Sequence, residues 1–255
     1  MKWSFISTGE NTGVYNMDLD LQLATHVCKD EAVLRLYQWK PYCISLGANQ
    51  NESVINKHKC DDDGITIVKR PTGGRAILHA EELTYSVVMH CSHENSPQKI
   101  YKDINDALLM GLGFYDERLT MAELEYQQPD YGAIYRSGKS VACFAETAKN
   151  ELKFAHKKLI GSAQRKMGGV VLQHGSILCG SFHKRLPRYL LVDEEEKVSM
   201  IRELLDKTTE IGSILQSAVD YTKLEDSIVL GFEKFYGEKV CREMSVIENS
   251  LLIHG

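Results

Sequence analysis

Arg70-Pro-Thr-Gly-Gly-Arg-Ala-Ile-Leu-His79 concentrates more potential chemistry than any other stretch of this 255-residue chain. Gly73 and Gly74 let backbone N–H groups approach a ligand that a Cβ would hold off. Arg70 and Arg75 flank the pair with fixed positive charge, Thr72 adds a hydroxyl, and His79 closes the run. A lone Gly-Gly is a turn signal. Here it sits between a strand-like Ile65-Thr-Ile-Val68 and an alternating Leu83-Thr-Tyr-Ser-Val-Val-Met89. A second chemical feature is Cys143, in Ser-Val-Ala-Cys-Phe-Ala-Glu-Thr. Free cysteine commonly packs as a small hydrophobe, and a catalytic thiol needs a cation or base to favour the thiolate. Lys158 follows, ahead of the apolar, then tight and polar, Leu159-Ile-Gly-Ser-Ala-Gln164. A cysteine can take an acyl group from a thioester without ATP, and a nearby ammonium can stabilise the oxyanion and relay a proton.

The composition restricts the alternatives. A net charge of −5 gives no basic excess for non-specific nucleic-acid binding, and no nucleic acid is expected as partner. The seven cysteines show no Cys-x-x-Cys pair, and the simplest setting is a reducing cytoplasm. There is no apolar run of signal-peptide or membrane-span length. No metal is expected: His90-Cys-Ser-His93 is the nearest approach to ligand spacing and follows a strand into a polar loop. Neither a P-loop nor a dinucleotide fingerprint is present.

The elements that must position these residues read as follows. Trp3–Ile6 is a short strand. Asn16 is placed to cap a helix with Met17, Leu21, Ala24 and Cys28 on one face. Ala32–Tyr37 and Cys43–Leu46 are strands, followed by a polar loop from Ala48 to Lys59. Ser96-Pro97 starts a helix that should end near Gly111 or Gly113. Residues 151–155 and 158–160 form a hairpin around His156-Lys157. After Asp193 the pattern is helical, with Val198, Ile201, Leu204 and Leu205 as one stripe and further helices over 211–221 and 224–235. Strands first and helices last favour α+β with a mixed β-sheet.

Several long blocks in this order resemble the lipoate–protein ligase and octanoyltransferase family. They are Trp3-Ser-Phe-Ile, Asn16-Met-x-Leu-Asp20, Leu34-Arg-Leu-Tyr-x-Trp39-x-Pro41, Ser45-Leu-Gly47 and Gln50. The acyl-site run Arg70–His79 with Glu82-Leu-Thr-Tyr-Ser86, then Lys158-x-x-Gly-Ser-Ala-Gln164 and Leu172-Gln-His-Gly-Ser-Ile-Leu178, complete the set. Gly-Gly-Arg75, Glu-Leu-Thr-Tyr and the Cys143-Phe pair are similar to the thiol-dependent octanoyltransferase branch. Ala80 stands where the family usually has Asp after the histidine, and residues 145–150 lack the expected aromatic-rich stretch.

The resemblance implies a mixed β-sheet flanked by helices, of the biotin protein ligase and class II aminoacyl-tRNA synthetase-like type. It implies one domain over 1–255, with 193–255 as a C-terminal helical extension. Cys143 and Lys158 would be catalytic. Arg70, Thr72, Gly73, Gly74, Arg75, His79, Gly161, Ser162, Ala163, Gln173, His174 and Gly175 would bind substrate. An octanoyl group would pass from acyl carrier protein to Cys143, then to a lysine of a lipoyl domain such as the glycine-cleavage H protein, with no cofactor and no membrane. An apolar channel near the diglycine loop and strand 83–89 would hold the chain, and Arg70 or Arg75 would meet an acidic carrier. The alternatives are an ATP- and Mg-dependent ligase working through a lipoyl-adenylate with Arg165 and Lys166 on its phosphates, an amidotransferase between lipoyl domains, and a non-catalytic lipoyl-domain binder.

Overall fold

The computed structural model describes residues 1–125 and 151–241. Cys143 and the segment Gly138–Phe144 lie outside the described residues, as does everything after Cys241.

Six strands form the main sheet in the order β10-β11-β6-β2-β1-β12. They are β1 (Lys2–Asn11), β2 (Glu31–Trp39), β6 (Glu82–His90), β10 (Ile160–Met167), β11 (Val170–Leu178) and β12 (Val240–Cys241). β1 runs parallel to β2 and β12, whereas β2–β6, β6–β11 and β10–β11 are antiparallel. This is the mixed α+β architecture expected from the order of the elements.

Strand alternation divides the sheet into two unlike faces. Leu34, Leu36, Leu83, Tyr85, Val87, Val171 and Ile177 point to one side and join the largest apolar cluster. That face is covered by α3 (Pro97–Tyr115), by the short α5 (Ile211–Leu215) and by α6 (Tyr221–Tyr236). On the other side Val33, Val88, Val170 and Leu172 pack on Leu19 and Leu23 of α1 (Gly13–His26). Beyond them, this second face becomes polar: Arg35, Thr84, Ser86, His174 and Ser176 are all buried there.

A smaller sheet, β4-β3-β5, stands against the polar half. Its strands are β3 (Cys43–Leu46), β4 (Thr66–Lys69) and β5 (Ile77–His79), with β3 parallel to β4 and antiparallel to β5. Its outer side is closed by a 3-10 helix, Phe182–Tyr189, and by Met200 of α4 (Glu194–Lys207). A third sheet, β7 (Glu123–Leu124), β8 (Leu152–Phe154) and β9 (Lys157–Lys158), leads directly into β10.

Local signals moved some boundaries. Thr12, not Asn16, caps α1, and Asn16 is buried inside it, with its amide donating to Asn11 and Gln38 carbonyls. Ser96 caps α3 with Pro97 in its first turn, but α3 runs through Gly111 and Gly113 to Tyr115. Gly111 is there for packing: its virtual Cβ would stand 2.8 Å from the Ile228 Cα. The β8–β9 turn is Ala155-His156, both at positive φ, one residue earlier than the spacing predicts. A short α2, Lys57–Asp62, interrupts the expected polar loop. In α4 the buried stripe is Met200 and Leu204, while Val198 and Leu205 are exposed. The expected helix over 211–221 is only α5, which stops at Leu215.

Gly231 lets α6 lie on α3, since a Cβ there would sit 2.4 Å from the Gly111 nitrogen and 2.5 Å from the Ala107 carbonyl oxygen. Backbone cannot yield as a side-chain tip can, so Gly231→Val should destabilise the fold by about 3 kcal/mol. A melting temperature equal to wild type would contradict this account of the helix pair.

Candidate active site

Arg70, at the end of β4, is buried and turned inward. Its guanidinium donates to the Ser45 carbonyl (2.9 Å) and hydroxyl (3.0 Å), the Gly73 carbonyl (2.9 Å) and the Arg75 carbonyl (2.7 Å). A planar five-donor fork suits this task. Arg70 therefore shapes the 70–75 loop from within and does not present a surface charge, which corrects the expectation that it meets a carrier. Gly74 adopts φ +95°, and its carbonyl oxygen would lie 2.0 Å from a Cβ at Gly47. Only a glycine at 47 lets the loop settle on β3.

Two polar rows cross the second face of the main sheet. Gly161, Ser176, Thr84 and Tyr37 are paired in register across β10, β11, β6 and β2. Ala163, His174, Ser86 and Arg35 form the next row. Four strands at ~4.8 Å spacing make each row about 14 Å long.

Asp20 of α1 descends on the second row. Its carboxylate accepts from Arg35 Nη1 (2.8 Å), Ser86 Oγ (2.7 Å) and Tyr37 OH (3.0 Å), and His174 Nδ1 stands at 3.3 Å. Burial alone would push the Asp20 pKa up. Hydrogen bonds from His174 and Ser86 and the charges of Arg35 and His174 outweigh it, so the carboxyl is held below its ordinary value. Burial lowers the pKa of His174 and pushes the Tyr37 phenol well up. The other His174 nitrogen, Nε2, meets Thr72 Oγ1 at 2.6 Å, which ties the 70–75 loop to the main sheet.

His79 is held from both sides. Nε2 meets Ser45 Oγ and Nδ1 meets Glu82 Oε1, each at 2.7 Å, while the ring stacks on Trp39 at 4.0 Å. Glu82 Oε1 also accepts from Thr84 (2.6 Å) and Ser176 (2.8 Å). Ala80 is buried, and the carboxylate facing His79 comes from Glu82.

Lys158 is 2 % exposed. Its ammonium pairs with Glu151 at 3.1 Å, and the other Glu151 oxygen accepts from the Ser162 backbone N–H at 2.9 Å. One buried carboxylate thus joins the lysine of β9 to the Gly161-Ser162-Ala163 run of β10. Behind that run, Ser162 Oγ meets the Tyr85 hydroxyl at 2.6 Å.

These groups surround one cavity of about 460 Å³, counting its opening. Its walls include Arg70, His79, Lys158, Gly161, Ser162, Ala163, His174 and Gly175, all singled out in the sequence. Thr72 stands behind His174, and Gly73, Gly74 and Arg75 form the outer loop rather than the wall. Gln173 faces the opposite side of the sheet, donating to the Tyr85 hydroxyl at 3.0 Å and accepting from Gln164 at 3.1 Å, so the structure puts it outside the cavity. Of the 83–89 strand only Thr84 reaches the cavity; the apolar wall is Met17, Tyr37, Trp39 and Ile77. Ser45, Glu151 and Ser176 also line it; the two serines lie in the resembling blocks but were not picked out as site residues, and Glu151 lies in none. A polar residue inside an apolar strand, as in Cys-Ile-Ser45-Leu, was the available signal.

A profile of the lipoyl protein ligase A/B catalytic domain matches residues 12–233. The chain belongs to this family. It is similar to octanoyltransferase LipM of Staphylococcus aureus, with 33% identity over 242 residues, covering 91% of this chain and 86% of that protein. LipM of Clostridioides difficile is 32% identical over 262 residues, covering 98% and 93%. Among solved structures, the bi-partite lipoate protein ligase of Thermoplasma acidophilum superposes with a TM-score of 0.75 at 19% identity, over 98% of this chain and 90% of that one. Lipoate-protein ligase A bound with ATP gives 0.73 at 19% identity, over 98% and 92%. These two establish a shared fold. With such relatives along nine-tenths of its length, this member of the lipoyl protein ligase family is an acyltransferase.

Asp20→Asn would leave the buried Arg35 without its anion and should cost about 3 kcal/mol at pH 7. The sign with pH follows from the depressed carboxyl. Its contribution is present above the ordinary Asp value of 3.8 and is lost as pH falls through the lower folded value. Thermal melts of wild type and Asp20→Asn should therefore differ most near neutrality and converge in acid. A gap that widens on acidification would refute this assignment.

Proposed function

We propose that the protein transfers an octanoyl group from a carrier-protein thioester through Cys143 to a lysine amine of a lipoyl domain. The observation that carries this reading is the contrast between the two ends of the cavity. At one end Lys158 and Glu151 stand beside Ser162, Ala163 and Gly175, the wall residues left partly exposed. At the other, Met17, Tyr37 and Trp39 close a buried apolar cluster with Cys43. An extended eight-carbon acyl chain is about 9 Å long, its seven bonds of about 1.5 Å each zigzagging to an advance of about 1.25 Å. It fits along the row from Gly161 to Tyr37 with its reacting carbon near the ammonium. Burying some seven methylenes at ~0.8 kcal/mol each supplies several kcal/mol of binding.

The reaction has two halves. The Cys143 thiolate attacks the donor thioester, the new C–S bond forms as the old one breaks, and the donor leaves as a thiol. The acceptor amine then attacks the acyl-cysteine, an amide forms, and the Cys143 thiol is regenerated. One thioester replaces another in the first half, so no nucleotide is required and the second half runs downhill to the amide. In both halves Lys158 donates to the carbonyl oxygen as it gains negative charge. Glu151 keeps that ammonium oriented. Cys43 is unsuited to the nucleophilic role: burial pushes its pKa up to about 12. The relatives called octanoyltransferase support the acyl group, and the lipoyl acceptor follows from the family.

Intact-mass spectrometry after incubation with octanoyl–acyl carrier protein should show a hydroxylamine-labile octanoyl adduct that maps to Cys143. Cys143→Ala should abolish both adduct and transfer with unchanged melting, and Lys158→Met should lower kcat about a hundredfold or more. Free octanoate with Mg-ATP should support no acylation of a lipoyl domain. Undiminished transfer by Cys143→Ala would overturn the reading.

A further inference from the structure

One polar chain interrupts the apolar face of the main sheet. Ser162, Gly175 and Tyr85 share a register row across β10, β11 and β6, and Gln164 and Gln173 stand in the next. This is the face that α3 covers, and Tyr85 is fully buried in its apolar cluster. α3 presents a matching polar stripe at helical spacing: Pro97, Tyr101 and Asn105. The Pro97 carbonyl accepts from the Gln164 amide at 2.9 Å. The Tyr101 hydroxyl reaches the Ser162 carbonyl at a long 3.5 Å, and Asn105 Oδ1 accepts from Ser162 Oγ at 3.3 Å.

The middle of the first row holds no side chain. A Cβ at Gly175 would stand 2.8 Å from Tyr85 Cε1 and 3.0 Å from the Ser162 Cα. The Tyr85 ring therefore passes beneath β11, across two strand spacings of roughly 10 Å in all, to meet Ser162 Oγ at 2.6 Å. The hydrogen bonds run one way. Gln164 donates to Gln173 Oε1 at 3.1 Å, and Gln173 donates to the Tyr85 hydroxyl at 3.0 Å. Ser162 gives its own proton to Asn105, so Tyr85 is the donor to Ser162. Burial pushes the Tyr85 pKa up, and the phenol keeps the proton it donates. Hydrogen bonds in such a chain polarise and strengthen one another.

Packing alone does not ask for this chain. Apolar side chains would fill the space at lower cost, and the Asn105 Nδ2 is left buried with no hydrogen-bond partner among the described residues. What the chain grips is Ser162. β10 ends the main sheet, so within it Ser162 has a neighbouring strand on one side only, β11. The Ser162 backbone N–H donates to one Glu151 oxygen at 2.9 Å, and the other Glu151 oxygen pairs with Lys158 at 3.1 Å. We infer that Tyr85 is a positioning residue, whose hydroxyl braces Ser162 so that Ser162 holds the Glu151 carboxylate that aims the Lys158 ammonium. This rests on the proposed acyl transfer, in which that ammonium meets the reacting carbonyl. It also gives Gly175 a reason: a side chain there would close the gap that Tyr85 crosses.

Tyr85→Phe removes one oxygen and keeps the ring in the core. With octanoyl–acyl carrier protein and a lipoyl domain it should lower kcat about tenfold, with KM for both proteins within about twofold of wild type. Ser162→Ala removes the receiving hydroxyl and should do the same. The double variant should lose no more than either single one, since both cut the same chain. Nuclear magnetic resonance adds a readout that needs no turnover. The Ser162 amide proton, deshielded by the Glu151 carboxylate, should move upfield and exchange faster with solvent in Tyr85→Phe. If Tyr85→Phe does not fold, Ser162→Ala decides by the same kcat. A wild-type kcat in both variants, a loss expressed in KM alone, or an unmoved Ser162 amide would each overturn the assignment. If wild type transfers no octanoyl group, the acyl-transfer reading fails, and the Ser162 amide alone decides the brace.

Discussion

A carboxylate shut away from water must be satisfied by the chain itself, and Asp20 is satisfied from three strands at once. Arg35 and Tyr37 come from β2, Ser86 from β6 and His174 from β11. Each of those partners is fixed in sheet register, so α1 has one seat over the polar face. The same histidine then holds Thr72, and through it the diglycine loop. The order of dependence runs from one buried anion to sheet register, from register to the loop, and from the loop to the cavity wall. Replacing such a network by apolar residues is often tolerated energetically. Here the polar atoms also line or brace the cavity, so the network gives the site its shape.

The two faces of the main sheet divide the work. The apolar face, with α3 and α6 locked together through Gly111 and Gly231, supplies the bulk of the core. The polar face is then free to be shaped by hydrogen bonds, since stability does not have to come from it. Buried polar rows of this kind are costly when half satisfied. Glu82 shows the margin: one of its oxygens accepts from Thr84 and Ser176 and faces His79, and the other has no hydrogen-bond partner among the described residues.

Much of this was legible in the residues. The mixed sheet, the Ser96 cap and the joining of the Arg70–His79 run to the Lys158–Ala163 run all followed from pattern and motif order. What escaped was set by tertiary contact. Asn16 has the chemistry of a cap, and only the position of β2 shows that its amide is needed inside, on Gln38. Gly111 has the look of a helix stop, and only the approach of α6 shows why it sits mid-helix. Gln173 belongs to a shared motif, but period-two alternation turns it away from the cavity that its neighbour His174 lines. Glu151 carried no motif signal at all, because its role depends on a hairpin bringing Lys158 back beside it.

The turn at Ala80 bears on how proteins of this kind are compared. Position 80 holds a methyl group where an acid is customary, yet the imidazole before it still faces a carboxylate, offered from Glu82. A column-by-column inventory of letters would score this site as impaired. An inventory of atoms around the imidazole would find an anion in attendance. The carboxylate that meets the imidazole belongs to the Glu82-Leu-Thr-Tyr block, so the residue at 80 can change while the electrostatics around His79 stay put, and competence is better judged in space than in an alignment.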